Sequence, residues 1–355
     1  MKNFIYTSQA QRILFGPGSL RKLNEETHAL GIRRALVLST KPQRDQADMA
    51  AGLLGSHAAG IFDEARMHVP VATVAAARAI CGELKIDGLV SIGGGSTVGL
   101  AKALARETGL PILAVPTTYA GSEMTPIYGI TDNGLKQTGR DPRVLPRTVI
   151  YDPDLTRELP VPISITSGLN AIAHAAEGLY AQDANPIMSL MAQEGIRAIA
   201  RGLSLIHADR HDSEGRRDAL YGAWLCGTVL GNVGMALHHK LCHTLGGSFN
   251  LPHAETHTVI LPHAMAYNAP AAEQAMAGIQ AALGVRDASA PAALFDLAVR
   301  LGAPTTLKEL GMKEADLDRV ADIALANPYW NPRPIERRPL RQLLQDAYEG
   351  RRPGP

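Results

Sequence analysis

From its start to about residue 155 the chain sets short, unbroken apolar runs between turn signals. Residues 35–39 form one such run, residues 88–92 a second that ends in Gly93-Gly94-Gly95, residues 111–115 a third and residues 148–151 a fourth. A run of that length without polar alternation predicts a strand buried on both faces. Helix-like stretches at 71–85 and 98–107 lie between them. Strands that alternate with helices predict a parallel α/β sheet, whose strand carboxyl ends are where such folds bind ligands.

After Pro153 the pattern changes. Alanine- and leucine-rich stretches at 164–181, 186–205, 216–245, 271–283, 291–301, 313–326 and 337–348 read as helices, with strand patterns nearly absent. Pro291 suits a first helical turn, where no N–H partner is lost. The expected class is therefore α/β. A Rossmann-like N-terminal domain with a parallel sheet, residues 1–155, precedes an all-helical C-terminal domain, residues 156–355, with the boundary near Asp152-Pro153. The tail from Arg351 is expected to fray.

Composition narrows the function. The 355 residues suffice for two domains, and 46% apolar content excludes disorder. A net charge of +1, from 35 basic and 34 acidic residues, argues against nucleic acid as the main partner. The three cysteines, Cys81, Cys226 and Cys242, form no C-x-x-C pair. A disulfide framework or zinc ribbon is therefore not expected, and a reducing compartment fits. The first ten residues carry no apolar signal core, so a cytoplasmic location is expected. The long uncharged stretch at 219–237 holds four glycines, Thr228 and Asn232. It reads as a core helix rather than a membrane span.

Two polar loops leave neighbouring strands. Gly93, Gly94, Gly95, Ser96 and Thr97 follow a strand and open a helix. Consecutive glycines let backbone N–H groups approach a pyrophosphate, and the helix N-terminus adds partial positive charge. The spacing is not G-x-G-x-x-G, and a plain tight turn is the competing reading. Thr117, Thr118, Tyr119 and Ser122 lie in the second loop, where hydroxyls suit phosphate, ribose or the nicotinamide amide; a capped helix start would use the same residues. Ser39 and Thr40 open the turn after the 35–39 strand. No acidic residue appears there before Asp45, while Lys41 and Arg44 do. NADPH is thus expected to be accepted beside NADH.

The candidate chemistry lies in the helical half. Asn170 and His174 stand at i, i+4, as do His239 and His243, so each pair shares a helix face. His253 follows Pro252 and reads as a loop histidine. With twelve histidines in the chain, chance pairs are common, and only the combined pattern points to one pocket. His238, His257 and His263 read as surrounding groups.

Together, Gly93-Gly94-Gly95-Ser96, Pro116-Thr117-Thr118 with Gly121-Ser122-Glu123, Gly168 through Asn170 and His174 to Glu177, and His239 through His243 and Gly246 to Pro252-His253 resemble the iron-containing alcohol dehydrogenase family. The resemblance spans nearly the whole chain. It implies a dinucleotide-binding domain, a helical domain and an active site in the cleft, with a homodimer common. The family's metal ligands fall on Asn170, His174, His239 and His253, and His243 matches a histidine assigned to proton transfer. Two departures stand out. Asn170 replaces an aspartate, and the loop Thr118-Tyr119-Ala120-Gly121-Ser122-Glu123 is one residue short. With residues 126–130, these look like the maleylacetate reductase branch. That branch reduces maleylacetate to 3-oxoadipate with NADH or NADPH in aromatic catabolism and is regarded as needing no metal.

A neutral amide is a weaker ligand than a carboxylate, although three histidines can still hold Zn²⁺. Histidines near neutrality can instead stabilise an enolate and deliver a proton, His243 being the expected donor. The dicarboxylate substrate needs positive and hydrogen-bonding partners. Lys136, Tyr329, Asn331 and Arg333 are the candidates. Competing expectations are an iron- or zinc-dependent dehydrogenase of small alcohols and aldehydes, a lyase like dehydroquinate synthase, and a nucleotide-binding protein without turnover.

Overall fold

The four unbroken apolar runs pair as parallel strands in a computed structural model that describes residues 3–132, 135–326 and 329–354. Contacts divide the chain into Ser8–Leu159 and a second unit of Pro160–Pro355 with Met1–Thr7. The first unit runs β1 (Arg12–Phe15), α1 (Leu23–Ala29), β2 (Ala35–Leu38), α2 (Arg44–Leu54), β3 (Ala58–Phe62), α3 (Val71–Glu83), β4 (Gly88–Gly93), α4 (Gly95–Thr108) and β5 (Ile112–Pro116). It ends with β6 (Ile127–Asp132), β7 (Leu135–Arg140) and β8 (Thr148–Tyr151).

Six strands form one sheet in the order β1-β8-β5-β4-β2-β3, all parallel. Side chains alternate across it. Leu36, Leu38 and Leu89 pack with Val74, Ala77, Leu100 and Leu104 on one face. Ala35, Val37, Val90 and Ile92 pack with Leu23, Ala47, Ala50 and Leu54 on the other. Burial on both faces is why these strands read as unbroken runs. From β2 the chain steps outward to β3, whereas from β4 it steps the opposite way to β5. The switch point therefore lies between β2 and β4, whose carboxyl ends carry Ser39-Thr40 and the three glycines.

Sequence pattern alone misses β1, β3 and the antiparallel β6–β7 pair. The edge strands are only partly buried, and Gly60 interrupts β3, so neither shows a clean apolar run.

The second unit is helical: α5 (Val161–Gly178), α6 (Pro186–Ala208), α7 (Ser213–Asn232), α8 (Leu237–Phe249), α9 (His253–Asn268), α10 (Glu273–Leu283), α11 (Ala290–Arg300), α12 (Leu317–Ala326) and α13 (Arg337–Glu349). Two expectations need correction. Residues 216–245 are not one helix: α7 and α8 meet at 96°. Asp183 accepts from the Gly234 N–H at 2.8 Å, and Ala236 is non-helical, so the backbone turns there. His253 is the first residue of α9 rather than a loop residue. Residues 256–265 of α9 are all buried and Pro262 sits inside it, so no polar face marks the period. Among the described residues, no single helix is long and apolar enough to cross a membrane.

Candidate active site

The loops at the switch point are tied to one another. Gly93 has φ +147°, a conformation that only glycine adopts without strain. A Cβ on Gly94 would stand 2.9 Å from Thr118 Cγ2, so the two loops touch there, while Gly95 faces open space. Thr40 donates to Gln43 Oε1 at 3.1 Å, and Gln43 Nε2 donates to Thr117 Oγ1 at 2.7 Å, linking a third loop. Ser39 and Tyr119 are buried, and Ser96 is half-buried. Ser91 Oγ, Thr97 Oγ1 and Ser122 Oγ are buried without a hydrogen-bond partner among the described residues. Buried hydroxyls are rarely left so. With α4 starting at Gly95 and lacking a side-chain cap, this cradle fits a dinucleotide phosphate.

Lys102 was not singled out by sequence. It sits on the buried face of α4 and is 2% exposed. Its Nζ donates to the carbonyls of Ser122 (2.6 Å), Thr125 (2.7 Å) and Ile127 (2.9 Å) and to Thr125 Oγ1 (2.9 Å), which pins the segment following the threonine loop. Burial pushes its pKa down to about 7 against the pull of Glu123. A charged residue among the apolar positions of α4 was the available signal.

The turn after β2 also differs from expectation. Acidic groups do reach it, from the end of β3. Arg44 pairs with Asp48 at 3.0 Å and Asp63 at 3.1 Å, and Lys41 stands 3.7 Å from Glu64.

In the helical unit, Asn170, His174 and Glu177 stand at i, i+4 and i+7 on one face of α5, and the start of α8 brings His239 to them. Glu177 Oε2 is 2.7 Å from His239 Nδ1, His239 Nε2 is 2.8 Å from His174 Nδ1, and His174 Nε2 is 3.4 Å from Asn170 Nδ2. All four side chains are buried. Glu177 also accepts from the N–H groups of Ala236 (2.9 Å), His238 (2.9 Å) and His239 (3.3 Å), and so caps α8 from a distance. Burial alone would raise its pKa. The hydrogen bond and charge of His239, with His238 and the Ala236 N–H, outweigh that and bring it to about 2.

His243 and His253 are exposed. The His243 ring lies 6.1 Å from that of His239, and the His253 ring 4.4 Å from that of His257. His257 is more central than a surrounding group. It is fully buried, with its ring 5.1 Å from His239 and 6.0 Å from His174. His238 Nε2 is 2.9 Å from His257 Nδ1. Burial, then the charges of neighbouring histidines, hold His238 down at about 3 and His257 well below its usual value. Sequence spacing missed the role of Glu177 because its partners lie some sixty residues away.

The proposed substrate groups fare differently. Asn331 is fully engaged: Oδ1 accepts from Leu237 N–H and Asn268 Nδ2, while Nδ2 donates to Asn268 Oδ1 and the Arg333 carbonyl. Arg333 donates to the Tyr267 carbonyl at 2.9 Å and stacks 4.5 Å over the Tyr267 ring. Both hold their own loop against α9, and with Tyr329 they line one cavity. Tyr329 keeps a buried hydroxyl without a partner among the described residues, with Lys240 Nζ 5.3 Å over its ring. The Lys136 side chain lies outside the described residues.

As the rings stand, His174 Nδ1 and His239 Nε2 are too close to share a divalent metal. Two nitrogen ligands of a tetrahedral ion at about 2.1 Å would stand roughly 3.4 Å apart. The facing nitrogens of His174 and His239 are 2.8 Å apart, the spacing of a shared proton. Asn170 supplies no charge.

Family models for the C-terminal region of the Fe-containing alcohol dehydrogenase family and for iron-containing alcohol dehydrogenase match residues 164–348 and 10–153. A maleylacetate reductase of Burkholderia cepacia is 60% identical over 99% of this chain and its own full length. Solved maleylacetate reductases resemble it closely. That of Agrobacterium tumefaciens has 55% identity and a TM-score of 0.96, and that of Rhizobium sp. strain MTP-10005 has 54% and 0.95, each over 99% of this chain and 100% of its own. The chain belongs to the iron-containing alcohol dehydrogenase family, in its maleylacetate reductase branch.

Proposed function

We propose that this protein reduces the alkene of maleylacetate to give 3-oxoadipate, using NADH or NADPH, in the breakdown of aromatic compounds. The observation that carries the reading is 60% identity with a maleylacetate reductase over both full lengths. Asn170 in place of a carboxylate, 3.4 Å from His174 Nε2, supports it.

Gly93, Gly94, Gly95, Ser96 and Thr97 hold the pyrophosphate at the start of α4, with Ser39, Thr40, Thr117, Thr118, Tyr119 and Ser122 around the rest of the dinucleotide. NAD(P)H, when bound, supplies the hydride. Lys41 and Arg44 are balanced by Glu64, Asp48 and Asp63, so NADH is favoured while NADPH is accepted.

Maleylacetate is a dianion whose alkene is conjugated to a ketone. Hydride addition at the carbon distal to the ketone leaves an enolate on the ketone oxygen. The exposed histidines His243 and His253 stabilise that charge, and His243 protonates the carbon next to the ketone. Asn170, His174 and His239 support them from beneath. Lys136, Tyr329, Asn331 and Arg333 are the candidates for the carboxylates, the last three lining one cavity. No metal takes part. The enzyme works as a cytoplasmic homodimer, with no nucleic acid or membrane partner.

The test is NADH oxidation with maleylacetate after exhaustive chelation. One NADH consumed per substrate, at a rate that added divalent ions leave unchanged, is the expected result. Activity that vanishes on chelation and returns with Fe²⁺ or Zn²⁺ overturns the metal-free mechanism. No maleylacetate-dependent oxidation under either condition overturns the substrate.

A further inference from the structure

We propose that Glu177 is a positioning residue that fixes the tautomers of His174 and His239 through a hydrogen-bond relay of one direction, closed at its far end by Asn170. Direction follows from donor arithmetic. Glu177 Oε2 lies 2.7 Å from His239 Nδ1 and also receives the N–H groups of Ala236 and His239. An ionised carboxylate only accepts, so the proton sits on His239 Nδ1. In the neutral ring, Nε2 must then accept. His174 Nδ1, 2.8 Å away, is the donor. His174 Nε2 is left as an acceptor, and the amide nitrogen of Asn170, 3.4 Å away, is placed to donate to it.

Both imidazoles thus carry their proton on Nδ1. Each has both nitrogens engaged inside the relay. An amide neither gains nor loses a proton near neutrality, so the relay ends at Asn170 and passes no proton onward. Its work is geometric: it locks two rings beneath the exposed His243 and His253, with the Glu177 charge set against the N-terminus of α8.

This inference is independent of the substrate proposed above, because it is read without turnover. The measurement is a long-range ¹H–¹⁵N spectrum of the intact protein labelled with ¹⁵N-histidine. His174 and His239 are assigned by the signals lost in His174→Gln and His239→Gln. Both rings are expected in the neutral form protonated on Nδ1. A proton on Nε2 of either ring in the wild-type protein overturns the relay, whatever the variants do. Asn170→Asp gives a second reading. An aspartate faces His174 Nε2 with acceptors only, so a proton is expected to appear at that nitrogen. A His174 signature unchanged in Asn170→Asp also overturns the proposal. Loss of packing alone would broaden signals without moving a proton between nitrogens.

Discussion

The nucleotide loops and the histidine face are built on opposite plans. At the switch point, hydroxyls are buried and left open: Ser91 Oγ, Thr97 Oγ1 and Ser122 Oγ have no partner among the described residues. Around α5 and α8, the carboxylate of Glu177 and the rings of His174 and His239 are spent, while Asn170 Oδ1 and His238 Nδ1 are buried without a partner among the described residues. Glu177 accepts from Tyr180, His239 and three backbone N–H groups, and both rings above it are engaged at each nitrogen. Several unpartnered hydroxyls gathered beside a glycine loop suit a ligand that supplies the missing bonds. An array of one carboxylate and two rings, engaged at every polar atom, marks where the protein fixes geometry for groups nearer solvent. The difference predicts that changes in the array cost stability, whereas changes in the loops cost binding.

The sharpest break comes from Glu177→Ala. It strands three backbone N–H groups and His239 Nδ1 in a buried site and removes the cap of α8. Breaking a buried, paired charge costs about 3–5 kcal/mol, and urea unfolding should show a loss of that order. A loss below about 1 kcal/mol would mean that the array is not what holds α8.

His243→Ala tests the other half of the contrast, since His243 is exposed and outside the relay. The fold should be unchanged and kcat should fall at least about a hundredfold, the lower range for loss of a general acid. Reduction near the wild-type rate would remove His243 as the proton donor.

Acid should destabilise the helical unit. Burial holds His238 at about 3, His263 at about 4 and His257 well below the ordinary value of 6.5. Between pH 6.5 and about 4 the unfolded chain therefore binds protons that the folded chain refuses. Stability is present above pH 6.5 and lost as pH falls through this window, at up to about 1.4 kcal/mol per pH unit for each histidine. Glu177, lowered to about 2, adds a loss of the same sign that begins only below about pH 4.5. Urea midpoints should drop between pH 6.5 and 5.5 by the equivalent of about 3 kcal/mol. A flat profile there would mean that these histidines are already charged in the fold.

Much of this was legible in the sequence, for a physical reason. Strands β2, β4, β5 and β8 are buried on both faces and read as unbroken apolar runs. The Asn170–His174 and His239–His243 spacings followed from helical periodicity. What stayed hidden depends on partners remote in sequence or on the lack of a solvent face. Nothing local says that Glu177 caps a helix sixty residues on, or that Asp63 and Glu64 reach the turn after β2. Helix α9 is buried along 256–265, so no polar stripe announces it. The same burial makes His257 a central ring rather than a bystander.

The smallest expected effect separates the two plans most cleanly. Thr97 Oγ1 is buried without a partner, and it stands 2.5 Å from where a Cβ on Gly93 would be. Thr97→Val keeps the branched shape and removes the open hydroxyl. If that hydroxyl serves the cofactor, the ligand-free protein gains nothing from it, and its loss should leave urea stability unchanged or slightly raised. NADH binding, read by quenching or by isothermal titration, should weaken by the value of one hydrogen bond, about 1 kcal/mol, or roughly fivefold in Kd. A stability loss of about 1 kcal/mol or more with unchanged NADH affinity would place Thr97 among the structural groups and erase the contrast at this position. The reverse outcome would identify the open hydroxyl as a bond reserved for the dinucleotide.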